Sequence, residues 1–321
     1  MTVSALVIGL GQIGMGYDLH LDPTAHIYSH ARAFSQHPKF HLVGGVDPDG
    51  QQRQTFTQTY GRPAYGDVDT ALKQHQPDLV IIAVPTRYHG QTLQRVIERS
   101  HPKIILCEKP LSYDLQEARG MVQASATRGI RLCVNYMRRS DPGVVEIRRR
   151  IVAGEFGAPI KGVAWYSKGF LHNGSHFFNL LEDWLGPMQS SVVLNRGRLW
   201  DDTDPEPDVQ VTFDRGTIMF LAAWEEAFSH YTVELLSPRG RLRYEQGGEL
   251  IQWQSACPDP HFQGYTVLSA KPETISSGMG RYQWHVAEQL ARALDGQDAQ
   301  LCSGADALQT LESMKQILER I

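Results

Sequence analysis

Over its first 135 residues the chain alternates short apolar runs with stretches of helical periodicity, and few architectures accept that rhythm. The runs fall at residues 3–8, 41–46, 78–84, 103–107 and 130–134, with a shorter one at 64–65. Apolar runs of this length read as strands buried on both faces of a parallel sheet. Residues 30–37, 51–60, 68–74, 90–99 and 115–128 read as the intervening helices. Strands alternating with helices predict an α/β fold built on a doubly wound parallel sheet. Such sheets bind ligands beyond the carboxyl ends of their strands.

After residue 135 the rhythm changes. A helix is predicted over 142–153, and strands then cluster around tight turns. Asp214-Arg215-Gly216, Pro238-Arg239-Gly240 and Gly247-Gly248 punctuate apolar pairs such as 209–213 and 217–222. These read as hairpins of a large, mostly antiparallel sheet. Residues 241–245 and 251–254 alternate apolar with polar, so one face is packed and the other more solvated. Helices over 283–294 and 305–320 end the chain, with Ser303 as N-cap and Asp306 in the first turn of the last. The expected division is therefore 1–135 and 136–321, as suits a chain of 321 residues.

A net charge of -4 leaves no electrostatic footprint for nucleic acid, and Arg148-Arg149-Arg150 reads as a solvated helix face. Cys107 and Cys133 lie inside apolar strands and read as small core residues, which fits a reduced, cytoplasmic setting. No run approaches the ~18 apolar residues that span a bilayer. The N-terminal apolar stretch lacks a basic region and reads as a strand, not a leader.

The first strand runs directly into Gly9-Leu10-Gly11-Gln12-Ile13-Gly14. Glycines at these spacings allow a tight turn and close backbone approach to a pyrophosphate, with a helix expected to follow. Asp47, closing the second strand, would accept hydrogen bonds from a ribose diol and repel a 2'-phosphate. NAD is thus preferred, with NADP possible. From Gly14 to Asp47 is 33 residues, where the fingerprint expects roughly 20. The surplus lies around Tyr17 to Ser29 and reads as an inserted loop near the cofactor, placed to cover it.

The strand at 103–107 ends in Glu108-Lys109-Pro110. A lysine on a proline-fixed turn at the rim of a parallel sheet is a candidate for chemistry, and a Lys-Pro bond can be cis. A surface salt bridge is the competing explanation for a lone Glu-Lys pair.

Further groups share the order of a known family. They are Ala83-Val84-Pro85-Thr86 with His89, Glu108-Lys109-Pro110-Leu111, Asn135-Tyr136-Met137-Arg138-Arg139 and Gly154-Glu155-Phe156-Gly157. Gly174-Ser175-His176 with Leu180-Leu181 and Gly186 completes the set. With the glycine turn and Asp47, the chain resembles the glucose–fructose oxidoreductase / inositol dehydrogenase / MocA family over nearly its whole length. That resemblance implies an N-terminal Rossmann domain and a C-terminal α/β domain on a large sheet that supports a homodimer or homotetramer. It implies reversible NAD(P)-linked hydride transfer at a secondary alcohol or ketone of a sugar, nucleotide sugar or cyclitol. It makes Lys109 the active-site lysine beside the nicotinamide and His176 the acid/base histidine. Gly9, Gly11, Gln12, Ile13, Gly14, Asp47, Pro85, Thr86, His89, Glu108 and Lys109 become the cofactor set. Many relatives carry an aspartate four residues before the histidine, whereas this chain has His172, followed by Asn173.

Removing a hydride from a carbinol requires a base for the hydroxyl proton and a cation for the developing alkoxide. His176 suits the first role and Lys109 the second. His172 and Asn173 would orient substrate hydroxyls or tune His176. Zinc on His172 and His176 is disfavoured, because neither an HExxH pattern nor a carboxylate partner accompanies them. Tyr136, Arg138, Arg139 and Lys168 are substrate candidates, arginine suiting a carboxylate or phosphate. Ser175 reads as a helix cap, Glu108 as fixing the lysine turn, and Trp165, Trp224 and Trp253 as sheet packing. A cofactor-sensing regulatory protein and an NAD-assisted glycoside hydrolase remain alternatives of the same fold.

Overall fold

The computed structural model describes residues 2–321. They form two compact units, residues up to Ser140 with Gly280–Gln309, and Asp141–Met279 with Thr310–Ile321.

The first unit is built on β1 (Val3–Ile8), β2 (Phe40–Val46), β3 (Ala64–Tyr65), β4 (Leu79–Ile82), β5 (Ile104–Cys107) and β6 (Arg131–Val134). They lie parallel in the order β3-β2-β1-β4-β5-β6, the order of a dinucleotide-binding doubly wound sheet. β1, β4 and β5 are buried almost throughout, as unalternating apolar runs require. The connecting helices are α1 (His30–Gln36), α2 (Gly50–Tyr60), α3 (Val68–His75), α4 (His89–Arg99) and α5 (Leu115–Thr127). Asp49, Asp67 and Asp114 cap α2, α3 and α5 by accepting backbone hydrogen bonds of 2.7–2.8 Å, so each helix starts at a carboxylate. Cys302–Ser303 adds antiparallel to β6 as the seventh strand.

The helix expected directly after the glycine turn is interrupted. Met15 N–H donates to Gly11 O (2.9 Å), giving a single turn, and the chain then leaves the helical path. It returns at α1, where His30 N–H donates to Ile13 O (3.0 Å) and Ala31 N–H to Gly14 O (2.9 Å). Residues 15–29 are therefore spliced into a helix whose two parts remain hydrogen-bonded, which accounts for the long spacing to Asp47.

In the second unit, α6 (Pro142–Val152) and α7 (Ser175–Leu185) accompany a nine-stranded sheet. Its long strands are β7 (Ile160–Tyr166), β8 (Met188–Asn195), β11 (Asp208–Phe213), β12 (Gly216–Ala222), β13 (Thr232–Ser237), β14 (Gly240–Glu245) and β15 (Leu250–Pro258), while β9 (Leu199–Trp200) and β10 (Asp204–Pro205) pair separately. Every pairing is antiparallel except that of β7 with β12. Val209, Phe220, Ala164, Val233, Tyr244 and Ile251 stand in register on one buried face. Val192 and Leu236 are exposed on the other. Arg149 and Arg150 pair with Glu146, Glu155 and Glu273, in keeping with a solvated helix face.

Two expectations fail here. Ser175 does not cap α7; its hydroxyl donates to His172 O at 3.3 Å. Trp224 is 60% exposed just beyond β12, so it is not buried in the packed face of the sheet.

Candidate active site and cofactor cavity

The carboxyl ends of β1, β2 and β4 border a cavity of ≈ 750 Å³. Gly9, Gly11, Gln12 and Ile13 form one wall, Asp47 and Pro48 a second, and Ala83, Val84 and Pro85 a third. Gly9 has φ +97°, and a Cβ there would lie 2.5 Å from Ala83 O, so only glycine passes. Gly14 lies behind the cavity, where a Cβ would meet Gly9 O at 2.0 Å. Gly11 differs: a Cβ there meets nothing within 4 Å, although the residue lines the cavity. The turn is thus closed toward the protein and open toward the space a pyrophosphate needs, and the residues fit a dinucleotide.

Asp47 is locked at the rim. Its Oδ2 accepts from Leu10 N–H (2.8 Å) and its Oδ1 from Asp49 N–H (2.9 Å). Arg53, not anticipated from the sequence, donates to Asp47 O (2.8 Å) and Pro48 O (2.7 Å). An arginine six positions past the acidic residue was the available signal. Gly66, Asp67, Val68, Tyr88, Gln91 and Thr92 also line the cavity and carry no motif of their own.

Thr86 starts the short helical turn that leads to Tyr88. His89, expected among the cofactor residues, is fully buried and spent on carbonyls. Its Nε2 lies 2.9 Å from Val84 O and its Nδ1 3.1 Å from Pro110 O, tying the Pro85 turn to the lysine turn. Burial holds its imidazole below the usual histidine value, against the pull of these carbonyls.

β5 pairs with β4 so that Cys107 stands opposite Ile82, and Glu108 N–H donates to Ile82 O (2.9 Å). Lys109 therefore emerges at the same sheet edge as Ala83–Pro85, on a cis Lys109–Pro110 bond. Glu108 accepts from Asn135 Nδ2 (2.6 Å) and contacts His30 Nε2 (2.7 Å). Burial pushes its carboxyl up, but these bonds and the charges of His30 and Lys109 prevail and hold it below its ordinary value. Glu108 braces the turn rather than lining the cavity. Tyr136 and Arg138, which follow Asn135 in sequence, are buried, and Arg139 pairs with Asp306 (3.4 Å).

In the second unit Lys168 adopts a left-handed conformation (φ 65°) and opens a π-helical turn, Gly169–Gly174. Backbone geometry of this kind is rare and recurs at functional sites. Two buried carboxylates stabilise it. Asp204 accepts from Leu171 N–H (3.0 Å) and His172 N–H (2.7 Å), and Glu206 from Gly169 N–H (3.0 Å). Burial raises the Asp204 carboxyl above its ordinary value despite those bonds. The His172 ring stacks on Trp200 (4.9 Å, 21°), and Lys168 pairs with Glu225 (2.8 Å). Asn173 lies in the same turn, and His176 is buried in the first turn of α7. Asp204, Glu206 and Trp200 escaped sequence reading because they reach the turn from some 30 residues away. Among the described residues, no group of three or more His, Cys, Asp and Glu is placed to hold a metal ion. Among the described residues, no helix is long and apolar enough to cross a membrane.

Residues 3–136 match the model of an oxidoreductase family with an NAD-binding Rossmann fold, GFO_IDH_MocA. The scyllo-inositol 2-dehydrogenase (NAD(+)) of Bacillus subtilis is 32% identical over 52% of this chain and 44% of its own. The chain spans less than half the length of that curated relative and of others it matches. Among solved structures, the WlbA dehydrogenase of Bordetella pertussis, in complex with NADH and UDP-GlcNAcA, superposes with TM-score 0.75 at 18% identity, covering 99% of this chain and 96% of its own. An NAD binding oxidoreductase from Klebsiella pneumoniae gives TM-score 0.76 at 18% identity, covering 98% and 95%. At such identities the likeness is one of fold.

Proposed function

We propose that this chain, whose residues 3–136 match the model of the Gfo/Idh/MocA oxidoreductases with their NAD-binding Rossmann fold, belongs to that family and is an NAD-dependent dehydrogenase or reductase. Its substrate is a secondary alcohol or ketone of a sugar, nucleotide sugar or cyclitol. The observation that carries this reading is the shared sheet edge: β4 ends in the cofactor cavity and its neighbour β5 ends in Lys109. A cyclitol dehydrogenase and a dehydrogenase solved with a nucleotide sugar among the similar proteins support the substrate class.

Bound NAD supplies the hydride acceptor. Asp47, with both oxygens already oriented by backbone donors, presents a negative charge where a ribose diol would be welcomed and a 2'-phosphate repelled. Arg53 beside it is what keeps NADP possible. We assign His176 to taking the hydroxyl proton and Lys109 to stabilising the alkoxide so formed, which becomes the ketone as its hydride leaves. His172, Asn173, Tyr136, Arg138 and Lys168 are assigned to substrate hydroxyls and acidic groups. Val192 and Leu236 on the exposed sheet face, with Trp224 nearby in sequence to β12, support assembly as a homodimer or homotetramer.

The test is a panel of cyclitols, sugars and nucleotide sugars, offered with NAD or NADH while reduced-nicotinamide absorbance is followed. Turnover on one class is expected. NADH binding without turnover on any of them would instead favour a cofactor sensor. Release of a glycosidic leaving group without net NADH would favour a hydrolase.

A further inference from the structure

Asp18 is a fully buried carboxylate inside the spliced segment. It accepts from Tyr28 N–H (2.7 Å), Ser29 N–H (2.8 Å) and the Ser29 hydroxyl (2.7 Å). Arg32 Nε stands 3.5 Å from it, and the same guanidinium donates to Leu21 O (3.1 Å) and His26 O (3.3 Å). A buried charge is retained only where it is paired and hydrogen-bonded, and here every partner comes from the segment itself or from α1. The loop is thereby stapled at both ends of its path. Its side chains are presented at fixed positions rather than swept through solvent.

Tyr17 is the residue next to that carboxylate. Its N–H donates to Gln12 O (2.9 Å), so it is pinned from the glycine-turn side as well. Tyr17 borders the cofactor cavity, yet 54% of the residue is exposed. Aromatic side chains offer large contact area at low entropic cost, and a pre-ordered one binds with less still to lose. Nothing in the glycine fingerprint requires an aromatic here; the splice supplies it.

We propose that Tyr17 is a cofactor-binding residue, its ring packing against the dinucleotide held on the Gly9–Gly14 turn and kept in place by Asp18. This stands on the NAD-binding fold and not on the hydride-transfer reading, so absence of turnover would leave it intact. The test is titration of the full chain with NADH, followed by nicotinamide fluorescence, together with melting of the cofactor-free protein. Tyr17→Ala should raise the NADH Kd about tenfold, mostly through faster release, and Tyr17→Phe should stay within about twofold of the parent. The cofactor-free melting temperature should be unchanged in both, since the ring is not core. A Tyr17→Ala Kd within about twofold of the parent would overturn the proposal. So would equal losses in Ala and Phe variants, which would move the role to the hydroxyl, or a parallel fall in melting temperature, which would place the ring in the fold.

Discussion

His30 Nε2 lies 2.7 Å from Oε1 of Glu108, joining the first residue of α1 to the residue before Lys109 across 78 positions of sequence. The imidazole is fully buried, and only 12% of the Glu108 side chain is accessible. Removing His30 takes one of two side-chain partners from a buried carboxylate oxygen, Asn135 keeping the other, and loss of one buried hydrogen bond to a charged group costs about 1–3 kcal/mol. His30→Ala should therefore lose about that much in urea unfolding at neutral pH. Because the Glu108 carboxyl titrates below its ordinary value of 4.5, its stabilisation is fully present above that pH and is lost as pH falls through the folded-state value. In His30→Ala burial opposes the charge with less to offset it, so the acid limb of the stability profile should move to higher pH. An unmoved limb would show that His30 does not hold the carboxylate ionised.

Lys109→Met should reduce turnover by at least about a hundredfold, because the developing alkoxide loses its cation. NADH affinity should remain within a few-fold, since the cavity walls contributed by β1, β2 and β4 are untouched. Single-turnover absorbance with saturating cofactor measures the first and fluorescence titration the second. Unchanged turnover would remove the lysine from the chemistry.

Asp47→Ala should weaken NAD by about tenfold or more and NADP far less, because the carboxylate that would accept from a ribose diol and repel a 2'-phosphate is gone. Competitive titration of the two dinucleotides checks this. An equal effect on both would mean that Asp47 acts only through its bond to Leu10 N–H.

Gly11→Val and Gly14→Ala should separate binding from folding. At Gly11 the added carbons enter open space in the cavity, so melting should be unchanged while the NADH Kd rises at least about tenfold. At Gly14 a Cβ meets Gly9 O at 2.0 Å, so the fold itself should be destabilised. Thermal melting beside fluorescence titration distinguishes them. Loss of stability in Gly11→Val would contradict the open cradle.

Asp204→Ala should loosen the Gly169–Gly174 turn by removing the acceptor of two backbone donors. Hydrogen exchange at Leu171 and His172 should accelerate, with melting lowered by about 1–3 kcal/mol equivalent. Protection that survives the substitution would show that the π-helical turn stands without Asp204.

Much of this was legible in the chain. Apolar runs of fixed length mark the parallel strands, Asp49, Asp67 and Asp114 mark helix starts, and paired turn glycines mark the hairpins, because each is set by local backbone and solvation preferences. The glycine turn, Asp47 and the lysine turn follow from the same local grammar. What tertiary structure decided are relationships between distant residues. Gly280–Gln309 packs with the first unit, and the helix broken at Met15 resumes at His30. His89 is spent on carbonyls instead of facing a cofactor, and Asp204 and Glu206 shape the turn that carries His172. A buried polar group must find whichever partner the packed chain brings within hydrogen-bonding reach, and sequence spacing does not encode that partner. The sequence thus specified the strands, turns and candidate chemistry; packing decided which polar residues serve the cavity and which hold it in shape.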